Sequence, residues 1–287
     1  MNLDVKKLDF TRVYIRCHEL KDLCEGLKTN KTVTCLNLKQ NDINANQAKD
    51  ISDMLSVNNT IYVINLAGNC ILMDGMKYIS TAFFVNMNMT LRTLDLRGNS
   101  IRKEGAKYIG DILSVNKTLV YINIQNNSIG DEGVKYISDG LSINDTLYRI
   151  NMRRNDIYHQ GAIHIANAII ANKRLAILEM SNNYYISITG IKCIKDAIAI
   201  NKTLIRVDLY SDNVQLDFAF SILTSLIRNE KHRFDKIKQN AIALKCLVNF
   251  QRRFRERQYV PPNGMYVRKW AVEHDADQQT MFKKFKK

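Results

Sequence analysis

Short apolar triplets recur along the chain at an almost constant interval. Thr118-Leu119-x-x-Ile122-Asn123-Ile124-x-x-Asn127-Ser128-Ile129 returns as Thr146-Leu147-x-x-Ile150-Asn151-Met152-x-x-Asn155-Asp156-Ile157. In each copy two apolar residues flank a polar one, the period-two signature of a short strand with one face buried. The anchors Leu8, Leu36, Ile64, Leu94, Ile122, Ile150, Leu178 and Val207 are spaced 28, 28, 30, 28, 28, 28 and 29 residues apart. The stretch between triplets carries the other periodicity. Over 105–113, Ala106, Ile109 and Leu113 stand at i, i+3 and i+7 and form one apolar helical stripe. A lone strand–helix unit cannot bury its own apolar face, so a run of such units stacks into a solenoid.

The polar landmarks keep the same phase. An Asn follows the triplets at Asn41, Asn69, Asn99, Asn127, Asn155 and Asn183, where its amide can satisfy backbone groups that a buried turn would orphan. A second set ends the helical stretches: Asn58, Asn116, Asn144, Asn172, Asn201 and Asn229. Asn tolerates the left-handed conformation of a helix stop, which is the role expected of it there. The Asn-x-Thr sequons at Asn30, Asn58, Asn88, Asn116, Asn144 and Asn201 fall at this phase and read as repeat grammar rather than as glycosylation sites. Tyr78, Tyr108, Tyr136, His164 and Cys193 share one helix position and are expected to pack between neighbouring helices, with Lys77, Lys107 and Lys135 in a solvated row beside them.

The 28-residue period, the pattern L-x-L-x-x-N, and a Gly six residues after the Asn (Asn69/Gly75, Asn99/Gly105, Asn127/Gly133, Asn155/Gly161) resemble the ribonuclease-inhibitor type of leucine-rich repeat. The resemblance covers residues 5–229. It implies an α/β horseshoe of about eight repeats, with a parallel concave sheet and convex helices. The pattern departs at Val13, which replaces the first Asn, and at Gln47, which stands in a Gly position. Asn183 to Gly190 is one residue too long, and Asp212 replaces the last Asn. The family includes inhibitors, immune sensors and GTPase activators, so the fold alone does not choose a function.

Composition narrows the choice. With 46% hydrophobic and 24% charged residues in 287, the chain can bury a sizeable core. The six cysteines (Cys17, Cys24, Cys35, Cys70, Cys193, Cys246) form no Cys-x-x-Cys and no zinc spacing with His, and are expected to be small buried hydrophobes in a reducing compartment. No signal-peptide run opens the chain and no 18-residue apolar stretch occurs, so the expectation is a cytoplasmic protein. No P-loop, G-x-S-x-G, H-E-x-x-H or G-x-G-x-x-G is present, and the five histidines are dispersed. No catalytic residue, cofactor or metal is therefore expected.

That leaves binding. Arg and Tyr gather at the outward strand positions of the second half: Arg97, Tyr121, Arg149, Arg153, Arg154, Arg206 and Tyr210. These residue types dominate protein-binding hot spots, because they bring planar area and several donors at low entropy cost. The reading is a non-enzymatic scaffold holding a protein ligand on the concave face. Beside it stands a plainer reading, in which Arg97 and Arg149 neutralise the central acidic column of Asp95, Glu179 and Asp208. A third class of function attaches to the C-terminus. The formal charge is +5 over residues 1–229 and +9 over 230–287, which would suit a nucleic acid or an anionic membrane. Regulation of a small GTPase is a further alternative.

Residues 1–229 form the repeat domain, 230–258 read as a basic amphipathic helix, and 259–287 as a basic tail. Ile237, Ala241, Leu244 and Val248 give the helix an apolar face that can cap the open end of the last repeat. The alternative is a free arm for an acidic partner or a membrane surface. Burying four such side chains is worth several kcal/mol, at roughly 25 cal/mol per Å². Truncation after Asn229 should thus give an aggregating or partly unfolded protein, and truncation after Gln258 should be tolerated. Thermal unfolding of both against the full chain decides it. A 1–229 fragment that melts as cooperatively and as high as the whole removes the cap.

Overall fold

The computed structural model describes residues 5–84, 88, 90–209 and 216–233. Within them strands and helices alternate strictly: β1 (Lys7–Asp9), α1 (Cys17–Thr29), β2 (Cys35–Asn37), α2 (Ala45–Leu55), β3 (Val63–Asn65), α3 (Leu72–Phe84), β4 (Thr93–Asp95), α4 (Arg102–Val115), β5 (Tyr121–Asn123), α5 (Gly130–Ile143), β6 (Arg149–Asn151), α6 (His159–Ala171), β7 (Ile177–Glu179), α7 (Ile188–Ile200), β8 (Arg206–Asp208) and α8 (Leu216–Arg233). The strands form one parallel sheet in chain order. Its register pairs Leu8 with Leu36, then Ile64, Leu94, Ile122, Ile150, Leu178 and Val207, the same anchors that carry the sequence repeat. A slip of one residue would turn every anchor to solvent, so the apolar pattern fixes the pairing. Leu94 from β4, Leu96 just after it, and Ala106, Ile109 and Leu113 from α4 are fully buried in one continuous core that runs from Ile15 to Leu226.

Each unit depends on the next for its polar groups. Asn127 accepts from the backbone N–H of Asn99 at 2.8 Å, and its amide donates to the carbonyls of Leu96 and Ile124 at 3.0 and 2.9 Å. Asn41, Asn69, Asn155 and Asn183 repeat the arrangement. Every Asn of this ladder serves the unit before it. Val13, which stands at the first Asn position, is exposed.

The helix-end asparagines form a second ladder, and here the expectation is corrected. They are not left-handed: Asn116, Asn144, Asn172 and Asn201 have φ between −65° and −73° with extended ψ. Asn144 accepts from the N–H groups of Thr146 and Leu147 at 3.0 and 2.7 Å and donates to the carbonyls of Leu113 and Asn116. The sequon amides at Asn58, Asn88, Asn116, Asn144 and Asn201 are buried and committed in this way. Left-handed residues instead flank the first ladder, as Gly98 and Ser100 do around Asn99, and Arg154 and Asp156 around Asn155.

The departures from the repeat have local causes. A Cβ on Gly75, Gly105, Gly133 or Gly161 would come within 2.5–2.7 Å of the Ile four residues earlier, which is why that position is small. Gln47, at the corresponding position of α2, makes a capping box with Asn44, each side chain bonding the other's backbone N–H at 3.1 and 3.2 Å. Gly190 keeps its distance of four from Ile186, so the extra residue of its unit lies at Tyr184-Tyr185.

Other expectations fare unevenly. Tyr78, Tyr108, Tyr136, His164 and Cys193 are all half-buried, and Lys77, Lys107 and Lys135 are exposed. Among the cysteines of the described residues only Cys24 is buried, Cys35 and Cys193 are half-buried, and Cys17 and Cys70 are exposed. Burial, then the charges of Asp50 and Glu25, push the Cys24 thiol up to about 12, which leaves it unreactive near neutral pH. Helix α8 does not stop at Asn229 but runs to Arg233, while Asn229 still donates to Asn201 and Leu204 at 2.9 and 2.8 Å. The rest of the proposed cap helix, the tail 259–287, Tyr210 and Asp212 lie outside the described residues.

Replacing Asn127 with Ala removes these bonds and strands buried backbone groups of two units, a cost of about 1–3 kcal/mol. Val13→Ala should change stability by less than about 0.5 kcal/mol. Urea unfolding of the two variants checks the ladder, and equal midpoints would contradict it.

Candidate protein-interaction face

The helices cover one side of the sheet and leave the other open. On that open face each strand presents its first and third residues and the residue two further on. Over β1 to β3 these are mostly small or uncharged, as in Val63, Asn65 and Ala67. From β4 onward they include Asp95, Arg97, Tyr121, Arg149, Arg153, Glu179, Arg206 and Asp208. Same-phase residues on adjacent strands lie about 4.8 Å apart, so an Arg side chain reaches across one or two strands. The side chains of this half therefore interact laterally, across intervals of about one and two repeats in sequence.

Glu179, the last residue of β7, is the hub. Its carboxylate is 1% exposed, yet two arginines hold it. Arg149 donates from Nε to Oε2 at 2.8 Å and from Nη2 to Oε1 at 3.0 Å, a fork matched to a carboxylate. Arg153 Nη2 lies 3.4 Å from Oε1 and also donates to Asp208, whose Oδ2 accepts from the Ser181 hydroxyl at 3.1 Å. The guanidinium of Arg149 sits 4.6 Å above the Tyr121 ring. Such stacking contributes about 1 kcal/mol and fixes the plane of the fork. Two strands away from Arg149, Arg97 Nη2 is 3.4 Å from Asp95 Oδ2.

Burial sets the protonation of this face. It pushes the Tyr121 hydroxyl up to about 12 against the pull of Arg149, so the ring stays neutral at ordinary pH. It also raises Asp95 above 3.8, with Arg97 acting in the opposite direction.

The structure thus brings Tyr121, Arg149 and Arg153 into one lattice, with Arg97 close enough for its charge to act on Tyr121. Arg97 and Arg149 do neutralise Asp95 and Glu179, as the plainer reading of the sequence held, and Arg153 joins them. Arg206 is exposed on β8 in the column of Arg149 and forms no ion pair among the described residues. Arg154 stands apart. It lies exposed in the turn beside Asn155 with φ +53°, off the strand. Tyr210 cannot be placed, being outside the described residues. Sequence reasoning missed one feature nearby: Tyr158 and Tyr185 stack in the open, ring centroids 5.0 Å apart. The signal was available in the extra residue between Asn183 and Gly190. Among the described residues no group of three or more His, Cys, Asp or Glu could hold a metal, and no helix is long and apolar enough to cross a membrane.

A family model described as "Leucine Rich repeat" matches residues 29–47, 88–110 and 115–138. No curated protein matches the chain in sequence. Among solved structures, "Leiomodin-1 Actin-Binding Site 2 (ABS2)" aligns with a TM-score of 0.51 at 16% identity, covering 61% of this chain and 96% of that one. The tropomodulin C-terminal domain of Caenorhabditis elegans aligns with a TM-score of 0.47 at 13% identity, covering 54% and 93%. At 16% identity the likeness to the leiomodin segment is one of fold. The fold is a leucine-rich-repeat solenoid.

Two measurements test the electrostatics. Glu179→Ala leaves two guanidiniums without their buried counter-ion and should lower stability by about 3–5 kcal/mol in urea unfolding. A loss below about 1 kcal/mol would mean that Glu179 is not the hub. Asp95 gives a pH signature. Its folded pKa is raised, so the folded chain holds the proton more tightly than the unfolded chain, and stability falls as pH rises from about 3.8 through the folded value. Asp95→Asn lacks this fall. The variant should therefore gain on wild type as pH rises above about 4, and a pH-independent difference refutes the assignment.

Proposed function

We propose that the chain is a non-enzymatic scaffold of ribonuclease-inhibitor-type repeats that holds a protein ligand on the concave face of its sheet, chiefly over β4 to β8. The observation that carries this reading is the lattice around Glu179. Arg149, Arg153 and Tyr121 are large side chains held in single orientations at an open sheet face. Holding them in advance lowers the ordering cost that binding would otherwise meet. Arg and Tyr so placed are the side chains that make hot spots. The 28-residue period and the small residue six positions after the ladder Asn support the repeat type. Actin is the first partner to test, because the leiomodin segment of like fold is named as an actin-binding site.

Removing Arg149 or Arg153 outright would leave Glu179 buried without its full set of partners, so the informative variants are Arg206→Ala, Arg154→Ala and Arg149→Lys. The last keeps the charge but loses the fork and the ring stacking. The experiment is affinity capture with the full chain and each variant, together with co-sedimentation on filamentous actin. A ligand of this face should be recovered by wild type and weakened by about 2 kcal/mol, roughly thirtyfold, in Arg206→Ala or Arg149→Lys. Undiminished recovery of every partner by all three variants would exclude the face.

A further inference from the structure

The lattice has more donors than acceptors. Glu179 takes Nε and Nη2 of Arg149 and Nη2 of Arg153, and Asp208 takes Nη2 of Arg153 and the Ser181 hydroxyl. Each guanidinium carries five N–H groups, so both arginines keep donors outside these contacts. The Nη1 group of Arg149 is one set. For Arg153 the surplus includes Nε, which is buried and has no hydrogen-bond partner among the described residues. Being buried, that Nε is a cost to the lattice rather than a donor a ligand can reach, and the ligand would meet the outer guanidinium nitrogens. Arg206 extends the column on β8 and is exposed. Glu179 lies deepest, at 1% exposure against 17% for Arg149 and 15% for Arg153, so above it a ligand meets guanidinium first, whereas Asp208, at 23%, shares the surface with Arg153.

Resting on the concave-face reading above, we infer that the partner presents an acidic peptide segment, whose Asp or Glu carboxylates are taken by Arg149, Arg153 and Arg206. Arg149 and Arg206 are two strands apart, about 10 Å. Carboxylates two to three residues apart on an extended chain span a similar distance, at about 3.4 Å per residue. A guanidinium fork with a fixed plane matches a carboxylate in geometry as well as charge. A nucleic acid fits less well. Its continuous row of phosphates would lie across Asp95, Glu179 and Asp208, whereas a peptide can place neutral residues over them.

The test uses the full chain and a labelled ten-residue Glu peptide, with a single-stranded DNA oligonucleotide of equal charge as the competing class. Binding is followed by fluorescence anisotropy at low and moderate salt. The basic segment 230–287 can attract any anion, so a second variant with Arg252, Arg253, Arg255 and Arg257 changed to Gln runs beside Arg206→Glu and Arg149→Lys. Arg206 is exposed, and its variant should melt like wild type. The expected result is tenfold or greater weakening of the Glu peptide by Arg206→Glu and by Arg149→Lys, little change in the tail variant, and binding that declines with salt. Three results overturn the inference: a Glu peptide indifferent to Arg206→Glu, one that loses affinity only in the tail variant, or DNA that binds equally and with the same sensitivity. If a captured protein partner still depends on Arg206 while the Glu peptide does not bind, the acidic class falls and the concave-face reading stands.

Discussion

A strand of three residues followed at once by a turn buries backbone N–H and carbonyl groups that its own unit cannot satisfy. Here the amide of an Asn in the following unit meets them. Asn155 accepts from Asn127 and donates to Ile124, and Asn183 does the same for Asn155 and Met152. A second file of Asn at the helix ends ties each helix to the one before. Apolar burial supplies the driving force for stacking, but it is non-directional. The two amide files allow one spacing and one phase between units, and the rest of the structure follows from that.

Fixed spacing has a consequence on the open side of the sheet. Once same-phase residues lie one strand apart, long polar side chains reach sideways, and the charges of one unit are settled by those of its neighbours. Glu179 on β7 is neutralised by Arg149 on β6 and by Arg153 just beyond it, and Arg153 in turn reaches Asp208 at the end of β8. A buried ion network of this kind contributes little net stability. What it does supply is orientation, because forks, ring stacking and a deep counter-ion leave Arg149 a single place to be. The face is thereby rigid where it is most cationic.

Rigidity on one side is matched by tolerance elsewhere. The first unit carries an exposed Val13 in place of the ladder Asn, and α2 carries Gln47, whose side chain closes a capping box. One unit can absorb an extra residue at Tyr184-Tyr185 because the insertion falls in a turn, upstream of the Ile186 and Gly190 contact. Variation is accommodated where the backbone is exposed, and the ladders continue through it.

The sequence by itself determined the period, the strand anchors, the sheet register and the first Asn file. All of these are local patterns repeated at constant phase, and repetition leaves one way to stack them. It also identified the residues of the open face, since alternation in a strand assigns sides. It did not determine which of those residues are committed. Whether Arg149 or Arg206 holds a counter-ion depends on lateral distances between residues about 30 and 55 apart, and on rotamers chosen by neighbours on other strands. For the same reason the helix-end Asn was read as a left-handed stop, when its extended backbone and ladder bonds became visible only with the adjacent helix in place. Arg154 looked like part of the cluster in sequence, but a positive φ turned it off the strand and away. Chain pattern fixed the repeat; only packing between repeats decided which charges are paired and which remain available to a ligand.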